Sequence, residues 1–313
     1  MINFFSVCKF NKIDYIPQNI NQINKFYKNS SYSIVSPGNE FDRINNYFLK
    51  NLCDVNIINE ENYISFDLFK FYFLKFFKDE QITNIVPEKR FKLMMGWYYQ
   101  QVLKITHVLQ NPKSNNVMID ADTILLRKIN FFENGKSILH KSSYEKNKNY
   151  KLACQEIFSY TPKNWDSYTV QSFSITKEEV EFLYENFKNF IPKDEDDSIG
   201  IWITKIIATV VAKFNNNFFD SYFSEQDIIA NSNLLIGCKK NNELKFLRSM
   251  VVGELNPWML KIASKLGFSY VTYEHHILKK KKANFADFIL MSIINFPIIH
   301  GFLKRVQRLR KIL

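Results

Sequence analysis

Short apolar blocks alternate with polar, turn-like segments over the first sixty residues. Phe4 to Cys8 and Ser31 to Ser36 are compact apolar runs, the second closed by Pro37-Gly38, and read as strands. Ile16 to Tyr27 and Phe41 to Lys50 read as helices between strands, and Asp54 to Ile58 as a third strand. This β-α-β-α-β order predicts an α/β fold, a parallel sheet covered by helices. Residues 64 to 78 are dense in Phe and Lys and predict a helix packed hard on one face. Gly96 to Val108 predicts another. Beyond residue 130 the pattern shifts to strands and loops, then to helices over about 177–190 and 199–213.

The most informative stretch is Asn116-Val117-Met118-Ile119-Asp120-Ala121-Asp122-Thr123, followed by Ile124-Leu125-Leu126. Residues two apart in an extended segment face the same side. Asp120 and Asp122 are thus expected to converge at the end of a buried strand, where open α/β sheets place their ligands. Two carboxylates there suit a hard divalent cation, Mn2+ or Mg2+, which can neutralise a diphosphate. A nucleotide-sugar transferase uses an acidic pair in this way. A HAD-type phosphohydrolase also carries its nucleophile in an apolar-Asp-x-Asp strand. That pattern wants Thr or Val where Ile124 stands, and Asp196-Asp197 is the candidate for its downstream acidic pair. A solvated strand end is the third reading.

Other candidates carry a functional and a structural reading each. Asp194-Glu195-Asp196-Asp197-Ser198 is better explained as a helix start than as a metal site, its acids complementing the helix dipole. Ser224-Glu225-Gln226-Asp227 reads equally as a helix N-terminus capped by Ser224 and as a place for a catalytic base. Glu225 or Asp227 could take the proton of an acceptor hydroxyl. Lys104 and Arg90 precede the acidic strand and are candidates for phosphate contacts. Of the histidines His107, His140, His275, His276 and His300, a late one could complete the metal shell, although a surface or core role fits most of them better.

Composition narrows the class. Of 313 residues, 46% are hydrophobic, with 30 Phe and 16 Tyr, enough for a packed core and contrary to disorder. Eight glycines leave no glycine-rich phosphate loop. The four cysteines, Cys8, Cys53, Cys154 and Cys238, form no CxxC pair, which points to neither a zinc site nor a disulfide framework, and to a reducing, cytoplasmic setting. The N-terminus reads as a first strand, not as a signal peptide.

Charge and hydropathy set the C-terminus apart. From Lys279 onward nine basic residues face a single acid, Asp287, so this short segment carries most of the net charge of +11. The 16 residues from Phe288 to Leu303 are strongly apolar but interrupted by Asn295, Pro297 and His300, too short and broken to span a bilayer. Basic clusters on both sides suit the surface of an anionic inner leaflet. A terminal helix docked on the core is the alternative. Nucleic acid is not expected as a partner, because aromatics are not interleaved with the cations. Two regions follow: 1–277, catalytic, and 278–313, a basic apolar helical extension and membrane-surface anchor.

Several pieces together also carry a family resemblance. Gly96-Trp97-Tyr98-Tyr99-Gln100-Gln101, Leu103-Lys104, Ile119-Asp120-Ala121-Asp122-Thr123, Phe131-Phe132, Ser172-Phe173-Ser174 and Ser224-Glu225 occur in the order found in one family. From about residue 90 to 235 the chain resembles bacterial glycosyltransferases of GT-A type from surface-polysaccharide (capsule and O-antigen) gene clusters. The resemblance implies a GT-A-like, Rossmann-related mixed sheet flanked by helices, and a hexosyltransferase-type activity. It implies a nucleotide-sugar donor, a metal held by Asp120 and Asp122, and a cell-surface or lipid-linked glycan acceptor. The acceptor site is implied near Thr169 to Ser174 and Ser224 to Asp227. Ser174-Ile175-Thr176 and Gln226 depart from the family's pattern. A glycan-binding module that kept the fold without the chemistry is a further alternative.

Overall fold

The computed structural model describes residues 1–51, 54–78, 88–141, 147–160, 166–214, 220–241, 246–249, 255–273, 288, 289 and 292. Its main sheet holds five strands: β1 (Ile2–Val7), β2 (Ser30–Ser36), β3 (Asn56–Asn59), β4 (Asn115–Ile119) and β8 (Ser172–Ile175), in the order β3-β2-β1-β4-β8. The first four are parallel and β8 runs antiparallel to β4. The expected parallel sheet is therefore a mixed one, as the family resemblance implied.

Successive residues in each central strand serve opposite faces. Phe4, Ile34, Val117 and Ile119 point into one core with Ile16, Ile20 and Ile23 of α1 (Ile16–Phe26) and with Ile44 and Phe48 of α2 (Phe41–Lys50). Phe5, Val35, Met118, Phe173 and Ile175 point into the other. That second core is closed by α3 (Phe66–Leu74), α4 (Glu88–Gln110), α5 (Lys148–Phe158), α6 (Lys177–Phe190), α7 (Ile199–Phe214) and α8 (Glu225–Leu235). Burial on both faces is why these strands read as unbroken apolar runs. Gly200 lets α7 approach the chain at Tyr63, because a Cβ there would collide with the Tyr63 carbonyl and the Ile64 Cβ.

Two small sheets accompany it among the described residues. β5 (Thr123–Leu125) pairs antiparallel with β11 (Tyr270–Tyr273), which runs parallel to β10 (Phe246–Ser249). Beside them α9 (Pro257–Lys265), capped by Asn256, contributes Met259, Leu260 and Ala263 to a third cluster that also takes in Phe288. β6 (Phe132–Glu133) and β7 (Lys136–His140) form a hairpin whose two loop residues, Asn134 and Gly135, have φ of 51° and 75°, and β9 (Lys239–Asn241) adds to β7. Such a two-residue loop suits the right-handed twist of the flanking strands. The remainder of the basic extension after residue 278, and His275, His276 and His300 with it, lies outside the described residues. Among those described, no helix is long and apolar enough to cross a membrane.

Candidate active site

β1 is flanked by β2 on one side and by β4 on the other, so the chain's course reverses between β1 and β4. Loops leaving such a pair of parallel strands diverge and open a crevice at their carboxyl ends, the usual ligand position in sheets of this kind. Asp120 follows directly on β4 at this point. Its N–H donates to the Gln171 carbonyl across the β4–β8 boundary, 3.0 Å away. The strand does not continue as sequence alone suggested. The Thr123 N–H donates to the Asp120 carbonyl at 2.9 Å, closing a turn through Ala121 and Asp122, and the chain re-enters a different sheet as β5. The acidic pair thus sits on a turn and not along one extended strand.

That turn is pinned from three sides. Asn19 of α1 donates its amide to the Thr123 carbonyl and accepts from the Leu125 N–H at 2.9 Å. The Tyr273 N–H of β11 donates to the Asp122 carbonyl at 2.8 Å. Beneath Asp120, the hydroxyls of Ser6 and Tyr32 share a hydrogen bond of 2.6 Å, and Ser6 donates to the Ile119 carbonyl. Burial raises the Tyr32 and Cys8 hydroxyl and thiol pKa values, and the charges of Asp120 and Asp122, respectively, add to the rise. Both groups stay neutral under the acidic pair.

Lys104 is the centre of the polar cluster. It is 6% exposed on α4, and its Nζ lies 2.8 Å from Asp120 Oδ1 and 2.7 Å from Glu225 Oε1. Burial alone would lower its pKa; the two carboxylates outweigh that and drive it upward, so the ammonium is permanent. Lys104 takes one oxygen of Asp120, and among the described residues the other carries no hydrogen bond. Asp120 and Asp122 are only partly buried.

Ser224 caps α8 by accepting from the Asp227 N–H, as expected, so Glu225 enters the site as the first helical residue. The Glu225 N–H, one of the helix's free donors, is met by Gln101 Oε1 at 2.9 Å. Gln101, buried on α4 one turn before Lys104, was quoted from the sequence only within the family motif and given no site role; its spacing of three from Lys104 on a helix was the available signal. Gln226 accepts from the Val170 N–H at 2.9 Å. Asp227 is fully buried, with Oδ1 accepting from the Tyr168 N–H at 2.9 Å and Oδ2 from the Thr169 and Ser167 hydroxyls at 2.8 and 3.4 Å. It holds segment 167–169 against α8. Gln171, beside Asp120, has φ of 63°, a left-handed backbone uncommon outside glycine and costly to hold. No sequence signal marked it.

Asp120, Lys104 and Glu225 therefore come together directly and Asp122 sits two residues along the same turn, whereas Asp227, two residues after Glu225 on α8, turns to segment 167–169. Arg90 does not join them: it is exposed on α4, 14 residues before Lys104 and about 21 Å along the helix. Ser198 caps α7 by accepting from the Ile201 N–H, and Lys205 binds Asp194 and Asp197 at 2.7 and 2.6 Å, so that acidic run serves its helix. His107 is a buried core group: its Nδ1 meets the Tyr63 hydroxyl at 2.8 Å, its Nε2 the Asn3 amide at 3.1 Å, and burial lowers its pKa to about 3. Among the described residues no three His, Cys, Asp or Glu side chains form a set that could hold a metal.

Two solved structures of the galactosyltransferase LgtC, an active-site mutant and a complex with donor and acceptor sugar analogues, align with TM-scores of 0.44 and 0.41. Identity is 9% in each, over 87% of this chain and 87% of theirs. The PaToxG glycosyltransferase aligns with a TM-score of 0.30 and 12% identity, over 67% of this chain and 68% of its own. No curated protein matches the chain. The model of a family of unknown function, DUF6492, matches residues 18–235, and the chain belongs to that family.

Proposed function

We propose that the protein is a metal-dependent glycosyltransferase that moves a sugar from a nucleoside-diphosphate donor to a cell-surface polysaccharide or lipid-linked glycan. The observation that supports this reading is the contact of Lys104 with both Asp120 and Glu225 at the carboxyl end of β4, with Asp122 two residues along the same turn. A diphosphate needs positive charge where it leaves, and an acceptor hydroxyl needs a proton sink.

The residues present fit a divalent cation that arrives with its substrate. Mg2+ and Mn2+ prefer hard oxygen ligands, and Mg2+ commonly takes one or two carboxylates plus waters and substrate phosphates. Asp120, through the oxygen that Lys104 does not take, and Asp122 would hold it. When bound, the ion supplies charge that stabilises the leaving diphosphate. Lys104 fixes the separation of Asp120 and Glu225. Glu225 is the proposed base. Asp227, with both oxygens taken by segment 167–169, shapes the acceptor side. Arg90 is too far along α4 to reach the same phosphates as Lys104. The basic extension after residue 278 is proposed as an anchor to the inner face of the cell membrane.

A panel of nucleotide sugars, each with and without Mn2+, tests the reading by thermal shift. A rise in melting temperature with a UDP- or GDP-sugar that requires Mn2+ supports it. Hydrolysis of simple phosphate esters with beryllofluoride trapped at Asp120 would instead assign the phosphohydrolase chemistry.

A further inference from the structure

The α3 helix buries one side and leaves the other strongly apolar. Phe69 and Phe73 form its packed side, Phe69 tilted against Tyr99 and Phe73 stacked on Tyr98 of α4 at centroid distances of 5.1 and 5.3 Å, while Phe77, just beyond the helix, stacks on Phe73 at 5.3 Å. On the opposite side Leu68 is 39% and Phe71 54% exposed; at the two ends Phe66, whose ring packs edge-on against Tyr99, and Phe76 are exposed in part. Four large apolar side chains exposed within so short a segment exceed the scattered single residues of an ordinary surface.

Cations share this surface. Lys70, Lys75 and Lys78 are exposed, and Asp67 is the only acid between residues 66 and 78. The Lys75 ammonium sits 4.0 Å from the Phe71 ring centroid, so apolar and cationic groups are in contact and not on separate faces. Aromatic rings at headgroup depth with lysines among phosphates is the composition of an element lying at a bilayer surface. Association with a second copy through the same patch would set these lysines against each other across the two-fold axis.

Placement ties the patch to the site. Lys104 touches Asp120 at the carboxyl edge of the sheet, and the 16 residues of α4 before it span about 24 Å of helix. α3 packs on that stretch of α4, at Tyr98 and Tyr99, one to two turns before Lys104.

We propose that the solvent face of α3, through Leu68, Phe71, Lys70 and Lys75, docks on an anionic lipid surface. This contact is separate from the basic extension and independent of the transfer reaction.

The test uses the full chain, with sedimentation on vesicles of phosphatidylcholine alone or mixed with phosphatidylglycerol. Wild type should sediment with the anionic vesicles at low salt and not with the zwitterionic ones. Leu68→Ser/Phe71→Ser and, separately, Lys70→Glu/Lys75→Glu should each lower the bound fraction at least fivefold, on the order expected for losing two anchors. Melting temperature and the Mn2+-dependent nucleotide shift should stay as in wild type, which keeps this result apart from that of the active site. Wild type left in the supernatant, or either variant binding as wild type does, overturns the proposal. So does a change of oligomeric state in the Leu68/Phe71 variant without loss of vesicle binding, which would assign the face to a second copy.

Discussion

Lys104 and Glu225 are 121 residues apart in the chain, yet the ammonium of one lies 2.7 Å from the carboxylate of the other in the protein interior. The same ammonium holds Asp120. A buried cation between two carboxylates offsets part of their charge, and removing it leaves that charge uncompensated.

Lys104→Met should therefore destabilise the fold by about 3–5 kcal/mol, since it strands two carboxylates. Adding Glu225→Gln to Lys104→Met should recover part of the loss, because one stranded charge goes. Urea denaturation of the two single variants and the double variant measures this coupling. Strict additivity would show that the pair does not interact in solution.

Glu225→Gln alone should lower turnover by about two to four orders of magnitude, the usual span for losing a general base, with donor affinity little changed. Single-turnover kinetics with saturating donor separates the two. A variant that loses stability while keeping its specific activity would reduce Glu225 to a helix-terminal partner of Lys104.

His107 sets a pH dependence. Burial lowers its pKa from 6.5 to about 3, so between these values the unfolded chain binds a proton that the folded one refuses. Stability from this group is complete above pH 6.5 and falls as pH drops toward 3, by up to about 1.4 kcal/mol per pH unit. His140, lowered to about 4 by burial, acts in the same direction. Urea midpoints from pH 7 to pH 4 should decline, and less steeply in His107→Gln.

Gly200→Ala tests packing away from the site. The new methyl group would meet the Tyr63 carbonyl and, at 2.9 Å, the Ile64 Cβ, and backbone cannot step aside as a flexible side chain can. A loss of about 1–3 kcal/mol is expected, the common cost of overpacking. An unchanged denaturation midpoint would mean that α7 shifts freely against this segment.

Much of the first half was legible because its signals are local. The runs at Phe4 and Ser31 and the amphipathic stretches at Ile16 and Phe41 became β1, β2, α1 and α2 within a few residues of their expected bounds. The helices near 177 and 199 likewise formed. The break after Asp120 was hidden, because Ile124-Leu125-Leu126 prolongs the apolar run. The partner that draws β5 into another sheet, β11, lies some 150 residues later. The Asn134-Gly135 hairpin and the Asn256-Pro257 helix start carried readable signals that had not been used. At the site, Asp120, Asp122, Glu225 and Lys104 stood out as residue types, but a lysine clamped between two carboxylates is a tertiary fact. Nothing in local spacing distinguishes it from a solvated helix lysine or foretells the left-handed Gln171.

The central claim is that Asp120 and Asp122 bind a nucleoside diphosphate through a divalent cation. Asp122 is partly exposed on a turn held by its backbone, at Tyr273, so Asp122→Asn should leave the fold and melting temperature unchanged. Isothermal titration of UDP and GDP into wild type and Asp122→Asn, with Mn2+ and with chelator, is the direct measurement. The account predicts Mn2+-dependent binding of one nucleotide by wild type, and a loss of at least tenfold in affinity, about 1.4 kcal/mol, in the variant. Equal affinity in the two proteins, or binding by wild type that ignores Mn2+, would contradict it.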